Sequence, residues 1–151
     1  MNSESEKLAE FAAAVRNSTI KRLKQVPAGK ENWRITPDSM SIAEIVYHLT
    51  EADEWLMKKM KNHALEPIQG KTGTVKIDDN LEFLNLINRL HHSGEKRCSF
   101  IKKLDESKLQ STIFDKRFGK KVTIWWIIVR GNLDHEIHHR GQLSAYLKAL
   151  S

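Results

Sequence analysis

One cysteine, three prolines and seven glycines are few for a chain of 151 residues. A lone Cys98 cannot close an intramolecular disulfide, and a single thiol excludes both a Cys-rich structural zinc site and a dithiol redox pair. No apolar run approaches the roughly 20 residues that a membrane-spanning helix needs, so no membrane partner is expected. The segment from Met1 to Lys7 is acidic and polar, where a secretory signal would be basic and then apolar. A cytoplasmic location fits both observations. No internal repeat, low-complexity tract or linker is visible. A chain of this length can bury one core and is too short for two ordinary domains, so residues 1–151 are expected to form a single domain.

The excess lies in positive charge, with a formal net charge of +6 and a pI near 9.5. Basic residues are spread along the chain, with short clusters at Lys58-Lys59, Lys102-Lys103 and from Lys116-Arg117 to Lys120-Lys121. There is no long basic block, zinc-finger spacing, RNA-binding aromatic motif or phosphate-cradling loop, so no nucleic-acid partner is expected. An anionic small substrate suits the charge equally well.

Four segments carry apolar residues at helical spacing, and nearly all glycine and proline falls between them. The first, residues 4–25, places Leu8, Phe11, Ala12, Val15, Thr19 and Leu23 on one face. The second opens on Ser41 and Glu44, spaced as a reciprocal capping box, and its stripe runs from Ile42 to Met60 with His48 inside it. A polar stretch from Glu66 to Asp78 follows, long enough to cross a bundle. Asp79 and Glu82 are spaced to cap the third segment, which runs through Leu81, Leu84, Leu86, Ile87, Leu90 and Ile101 and is weakened by Gly94. Between Ser111 and Lys121 the alternation around Gly119 suggests a short β-like excursion. The fourth and most apolar segment opens at Thr123 and reaches Leu147. The expected fold is all-α: a four-helix bundle with a long connection between helices 2 and 3.

The last segment holds the chemistry. His135 and His139 lie one turn apart, about 40° around the axis, so both rings can reach one ion. His138 competes with His139 for this role, and His139 is preferred because His-x-x-x-His is the usual spacing of helical zinc pairs. The third ligand is expected from His48, the one histidine set mid-helix among apolar neighbours. Taken alone, His48 would read as a hydrogen-bonded core residue; beside a histidine pair it reads as a ligand. His63, His91 and His92 lack apolar company and read as solvent-facing. Gly131, one turn before His135, leaves room for a substrate or a close helix approach. Trp33, Trp55, Trp125 and Trp126 read as core and interface residues, with Trp55 also placed to wall the site.

His135 to His139 also satisfies the His-Glu-x-x-His pattern of zinc proteases. That chemistry needs a sheet edge to receive the peptide, and the sequence offers none.

Three stretches together resemble the DinB/YfiT-like superfamily of four-helix-bundle metalloproteins, which is unrelated to the similarly named DNA polymerase. They are Trp33-Arg34 through Ser41-Ile42-Ala43-Glu44 to His48, the region of Trp55, and His135-Glu136-Ile137-His138-His139-Arg140-Gly141-Gln142-Leu143. The resemblance implies a divalent metal, zinc or nickel, on His48, His135 and His139. It also implies the activities of family members: transfer of a bacillithiol-like low-molecular-weight thiol to an electrophile in detoxification or stress response, mycothiol-dependent reactions, or metal-dependent hydrolysis. A homodimer is implied as well.

Three neutral imidazoles leave a cation its full charge and an open position, where a thiol is held as thiolate or a water is acidified. The expected catalytic residues are Arg140, receiving the carboxylates of the thiol, and Glu136 as proton acceptor, with Glu51 as its alternative. A metal- or ligand-binding protein without catalysis is the third reading.

Overall fold

The computed structural model describes residues 3–151; Met1 and Asn2 lie outside the described residues. Three long helices come first, α1 (Glu4–Leu23), α2 (Ile42–Lys61) and α3 (Asn80–Lys102). A short α4 (Glu106–Gln110) leads into an antiparallel hairpin of β1 (Thr112–Asp115) and β2 (Lys120–Thr123), which pairs Ile113 with Val122. A C-terminal rod closes the chain. It consists of α5 (Ile124–Trp126), a π-helical stretch (Ile127–Leu133) and α6 (Asp134–Leu150). With the rod counted as one, there are five helices among the described residues, where the apolar spacing predicts four.

The helix starts follow from their caps. Ser3 with Glu6, and Ser41 with Glu44, form reciprocal capping boxes that satisfy otherwise orphaned N–H groups. Asp79 caps α3 through the N–H of Glu82, and Thr123 caps α5 through that of Trp126. The additional α4 is a single turn capped by Asp105, and only Leu109 of its five residues is buried. A helix that short shows no apolar periodicity.

Helix α3 packs against α1 and α2, and α6 packs against α1. Two apolar clusters result. One joins Ile42 to Leu49 of α2 with Leu86, Ile87 and Leu90 of α3 and Leu143 and Tyr146 of α6. The other joins Trp55 and Leu56 of α2 with Ile101, Leu109, the hairpin's Ile113 and Val122, and Ile127, Ile128 and Leu133 of the rod. Three residues of the expected stripes are exposed instead: Phe11, Leu81 and Leu84, at 50%, 68% and 45%. No helix is long and apolar enough to cross a membrane among the described residues.

The polar connection between α2 and α3 is pinned to the body of the protein. The side-chain amide of Asn32 both donates to and accepts from the backbone of Ile77, at 2.6 and 2.8 Å. Buried Glu44 accepts from the Thr74 N–H at 2.7 Å, and the Trp55 indole donates to the Glu66 carbonyl at 2.6 Å. The strap is therefore one wall of a site, held at both ends.

Candidate metal centre

Between the two apolar clusters, α2 and α6 each change from apolar to polar residues along their buried faces. On α2 the change comes at His48 and Asp53, between Val46 and Leu56; on α6 it comes at His135, Glu136 and His139, between Leu133 and Leu143. The packing of the two helices therefore brings these residues to one level.

The three expected ligands meet there. His48 Nε2 lies 2.9 Å from His135 Nε2, which lies 3.1 Å from His139 Nε2. The rings stand nearly perpendicular to one another, at 79°, 89° and 87°. His48 and His139 are buried and His135 is half-buried. Metal–nitrogen bonds of about 2.0–2.1 Å in tetrahedral array set nitrogens about 3.3 Å apart, so the donor set fits a divalent cation with small adjustment.

The protonation of the rings supports that fit. Burial pushes His48 down to about 4, helped by the charge of His139. Burial and the neighbouring imidazoles push His135 down to about 3. Burial also lowers His139, against the opposing hydrogen bond of Gln142. All three are neutral near pH 7, the state in which an imidazole can give a nitrogen lone pair to a cation. The side-chain oxygen of Gln142 lies 2.7 Å from His139 Nδ1 and accepts its proton, which leaves Nε2 free as a donor to metal. His48 Nδ1 is buried without a partner among the described residues. The role of Gln142 was open to sequence reasoning, since it lies three residues after His139 on the same helical face. His138 is exposed and its ring packs beside His139, while His63, His91 and His92 are exposed as expected.

Glu136 is drawn into a separate network. Its Oε1 accepts from Arg16 Nη2 at 2.8 Å and Arg97 Nη1 at 2.7 Å, and its Oε2 from Arg16 Nε at 3.0 Å and the Thr19 hydroxyl at 2.7 Å. Burial alone would raise this carboxyl, but the bonds to Arg16 and the charge of Arg97 overcome it and hold it at about 2. The same two arginines also bond Asp53, at 3.1 Å each. With both oxygens doubly bonded, Glu136 joins α1, α3 and α6 and is not free to accept a proton at the histidines. The network ties Asp53, five residues after His48, to Glu136, the residue after His135. It thus fixes the two ligand-bearing helices against each other. Gly94 makes this closeness attainable, because a Cβ there would lie 2.7 Å from Arg16 Nη1. The apparent weak point of α3 is the place where the guanidinium passes.

Gly131 serves a second arginine. A Cβ on it would lie 2.6 Å from Arg117 Nη2, and Arg117 Nη1 donates to the Gly131 carbonyl at 3.2 Å. Arg117 also pairs with Asp115 at 2.8 Å and stacks on the Trp55 ring at 4.3 Å. Trp55 therefore anchors the hairpin turn and the start of the strap.

A cavity of about 890 Å³ opens beside the cluster, between α2, α3 and the strap. His48 and Glu51 line it from α2, Arg89 and Asn85 from α3, and Lys71 and Lys76 from the strap. Gly70 lets the strap approach: a Cβ there would meet Met40 Sδ at 2.5 Å and the His48 ring at 3.5 Å. Arg140 is half-buried, forms no ion pair among the described residues and does not line this cavity.

The family model described as the DinB superfamily matches residues 12–143. The chain is 24% identical over 148 residues to the uncharacterized protein YjoA of Bacillus subtilis (strain 168), covering 97% of this chain and 91% of that protein. The crystal structure of YjoA, a DinB-like protein, aligns over 95% of this chain and 91% of its own with a TM-score of 0.69 and 22% identity. That of an uncharacterized protein from Clostridium difficile 630 aligns over 98% of both chains with a TM-score of 0.70 and 12% identity. At such identities the solved structures establish the fold and bring no activity with it.

Proposed function

We propose that this chain, which belongs to the DinB superfamily, is a metal-dependent enzyme that transfers a low-molecular-weight thiol to an electrophile, in detoxification or stress response. The observation that carries the reading is the convergence of three neutral imidazole nitrogens at the edge of a cavity large enough for both reactants. A zinc or nickel ion held there supplies charge that acidifies a thiol at its free position. His48, His135 and His139 hold the ion, and Gln142 keeps His139 in the ligating tautomer. Glu51, one turn after His48 on the cavity wall, takes the proton released by the thiol. Arg140, which follows His139 but does not line the cavity, is given no contact with the thiol in this reading. A reducing cytoplasm suits such a substrate, and a homodimer is part of the proposal, checked by light scattering.

The carboxylate of Glu51, which lines the cavity and forms no ion pair among the described residues, also favours a second reading, hydrolysis by an activated water. Elemental analysis after stripping and reconstitution should find close to one equivalent of zinc or nickel in the wild type and none in His48→Ala or His135→Ala. Metal-loaded protein should then conjugate electrophiles only when a thiol is added; thiol-independent cleavage of esters, amides or lactones would select hydrolysis. Undiminished conjugation by His48→Ala would refute both.

A further inference from the structure

The cavity beside His48 is lined by three carboxylates and three cations that form no ion pair with one another among the described residues. Glu44 is occupied by Arg34 at 2.7 Å and by the backbone N–H groups of Ser41 and Thr74, and Glu82 accepts from the Asp78 N–H at 2.9 Å. Glu51 stands on α2 with His48. On the other walls stand Lys71, Lys76 and Arg89, and none of the three forms an ion pair among the described residues. Elsewhere the guanidinium groups of Arg16, Arg34, Arg97 and Arg117 are each matched with a carboxylate. The two lysines are carried on backbone that Glu44 and Asn32 hold through Thr74 and Ile77, so the cationic wall is largely set before any ligand arrives.

We infer that this cavity is an anion-binding substrate site, with Lys71, Lys76 and Arg89 receiving the carboxylate, phosphate or sulfonate end of an organic molecule whose reactive end lies at His48. The volume of about 890 Å³ admits a molecule of drug size rather than a bare inorganic ion. Guanidinium and ammonium groups facing a partly enclosed space strengthen each contact with an anion relative to open water. The inference deepens the proposed function by naming the charge class of the substrate, and it rests on that reading for the identity of the reactive end.

The test uses two probes of like shape on the full chain, anionic anilinonaphthalene sulfonate and neutral phenylnaphthylamine, followed by fluorescence with and without zinc. In the double variant Lys76→Gln/Arg89→Gln the sulfonate should bind at least about tenfold more weakly, while the neutral probe changes by less than about twofold. Added salt should weaken the sulfonate in the wild type more than in the variant. All three cationic residues are exposed, so the fold should tolerate the substitutions; matched urea midpoints verify this. Sulfonate binding equal in wild type and variant, or a parallel loss of both probes at an unchanged midpoint, would overturn the inference. His48→Ala separates the two readings. If it loses zinc and keeps the sulfonate, both stand; if wild-type protein binds no zinc while the sulfonate still depends on Lys76 and Arg89, the metal enzyme falls and the anion site remains.

Discussion

Replacing Arg97 by methionine tests the claim that a buried charge network, and not the histidines, holds the ligand-bearing helices together. Arg97 is fully buried and donates to Glu136 at 2.7 Å, Asn132 at 3.0 Å, Asp53 at 3.1 Å and the Ala12 carbonyl at 3.0 Å. Methionine fills much of the volume but leaves two buried carboxylates sharing Arg16 alone. Breaking a buried pair from one side costs about 3–5 kcal/mol, out of a total stability of about 5–15 kcal/mol for a typical domain. With a urea dependence of about 2 kcal/mol per molar, the midpoint should fall by about 2 M. Adding Glu136→Gln removes the stranded charge and should recover more than about 1 kcal/mol, a coupling readable from the double-mutant cycle. A midpoint for Arg97→Met within about 0.5 M of wild type would refute the reasoning. So would Glu136→Gln that abolishes turnover at unchanged stability and metal content, since that outcome would return Glu136 to the chemistry.

Three further perturbations address the site and its walls. Gln142→Leu should weaken metal binding by about 10- to 100-fold in competition with a chelator, and Gln142→Glu should bind at least as tightly as wild type, because only the leucine removes the acceptor from His139 Nδ1. Gly131→Ala should destabilise by about 1–3 kcal/mol despite the better helix propensity of alanine, with a change in tryptophan fluorescence as Arg117 leaves Trp55. The carboxyl of Glu44 is raised by burial but lowered further by the bonds from Ser41, Thr74 and Arg34, and ends below its ordinary value of 4.5. Its contribution is therefore complete above that value and lost as pH falls through the depressed one. Proteolysis within the strap should accelerate below pH 4.5 in the wild type, and Glu44→Gln should show the fast rate at neutral pH.

Much of the histidine cluster was legible because each of its signals is local. The spacing of His135 and His139, the placement of His48 in an apolar stripe and the capping pair Ser41 and Glu44 all survive in the fold. The charge network was not legible, because an arginine or aspartate in a sequence reads first as a solvated residue. A signal existed nonetheless. Arg16 falls in step with Ala12, Val15 and Thr19, Asp53 lies four residues after Leu49, and Arg97 lies four before Ile101, so each occupies a position that helical spacing assigns to the core. Gly94 reads as a weak point of its helix and Gly131 as room for a close approach, but the arginines that require them come from distant segments, α1 and the hairpin turn. Exposed positions such as Phe11 and Leu84 failed for the opposite reason: periodicity names a face but not how far the neighbouring helix covers it.

A π-helical stretch interrupts the α-helical hydrogen bonding of the last segment. The Asp134 N–H bonds to the Val129 carbonyl, five residues back, and the stretch buries Ile127, Ile128, Asn132 and Leu133 before the buried positions continue at Glu136, His139, Leu143 and Tyr146. One extra residue in the turn rotates everything before it by about 100° relative to an unbroken α-helix. The hairpin and the Thr123 cap fix one end of the rod, and the Glu136 network fixes the other. The wide turn lies between these two anchors, and it places the irregular backbone just before the first histidine of the pair.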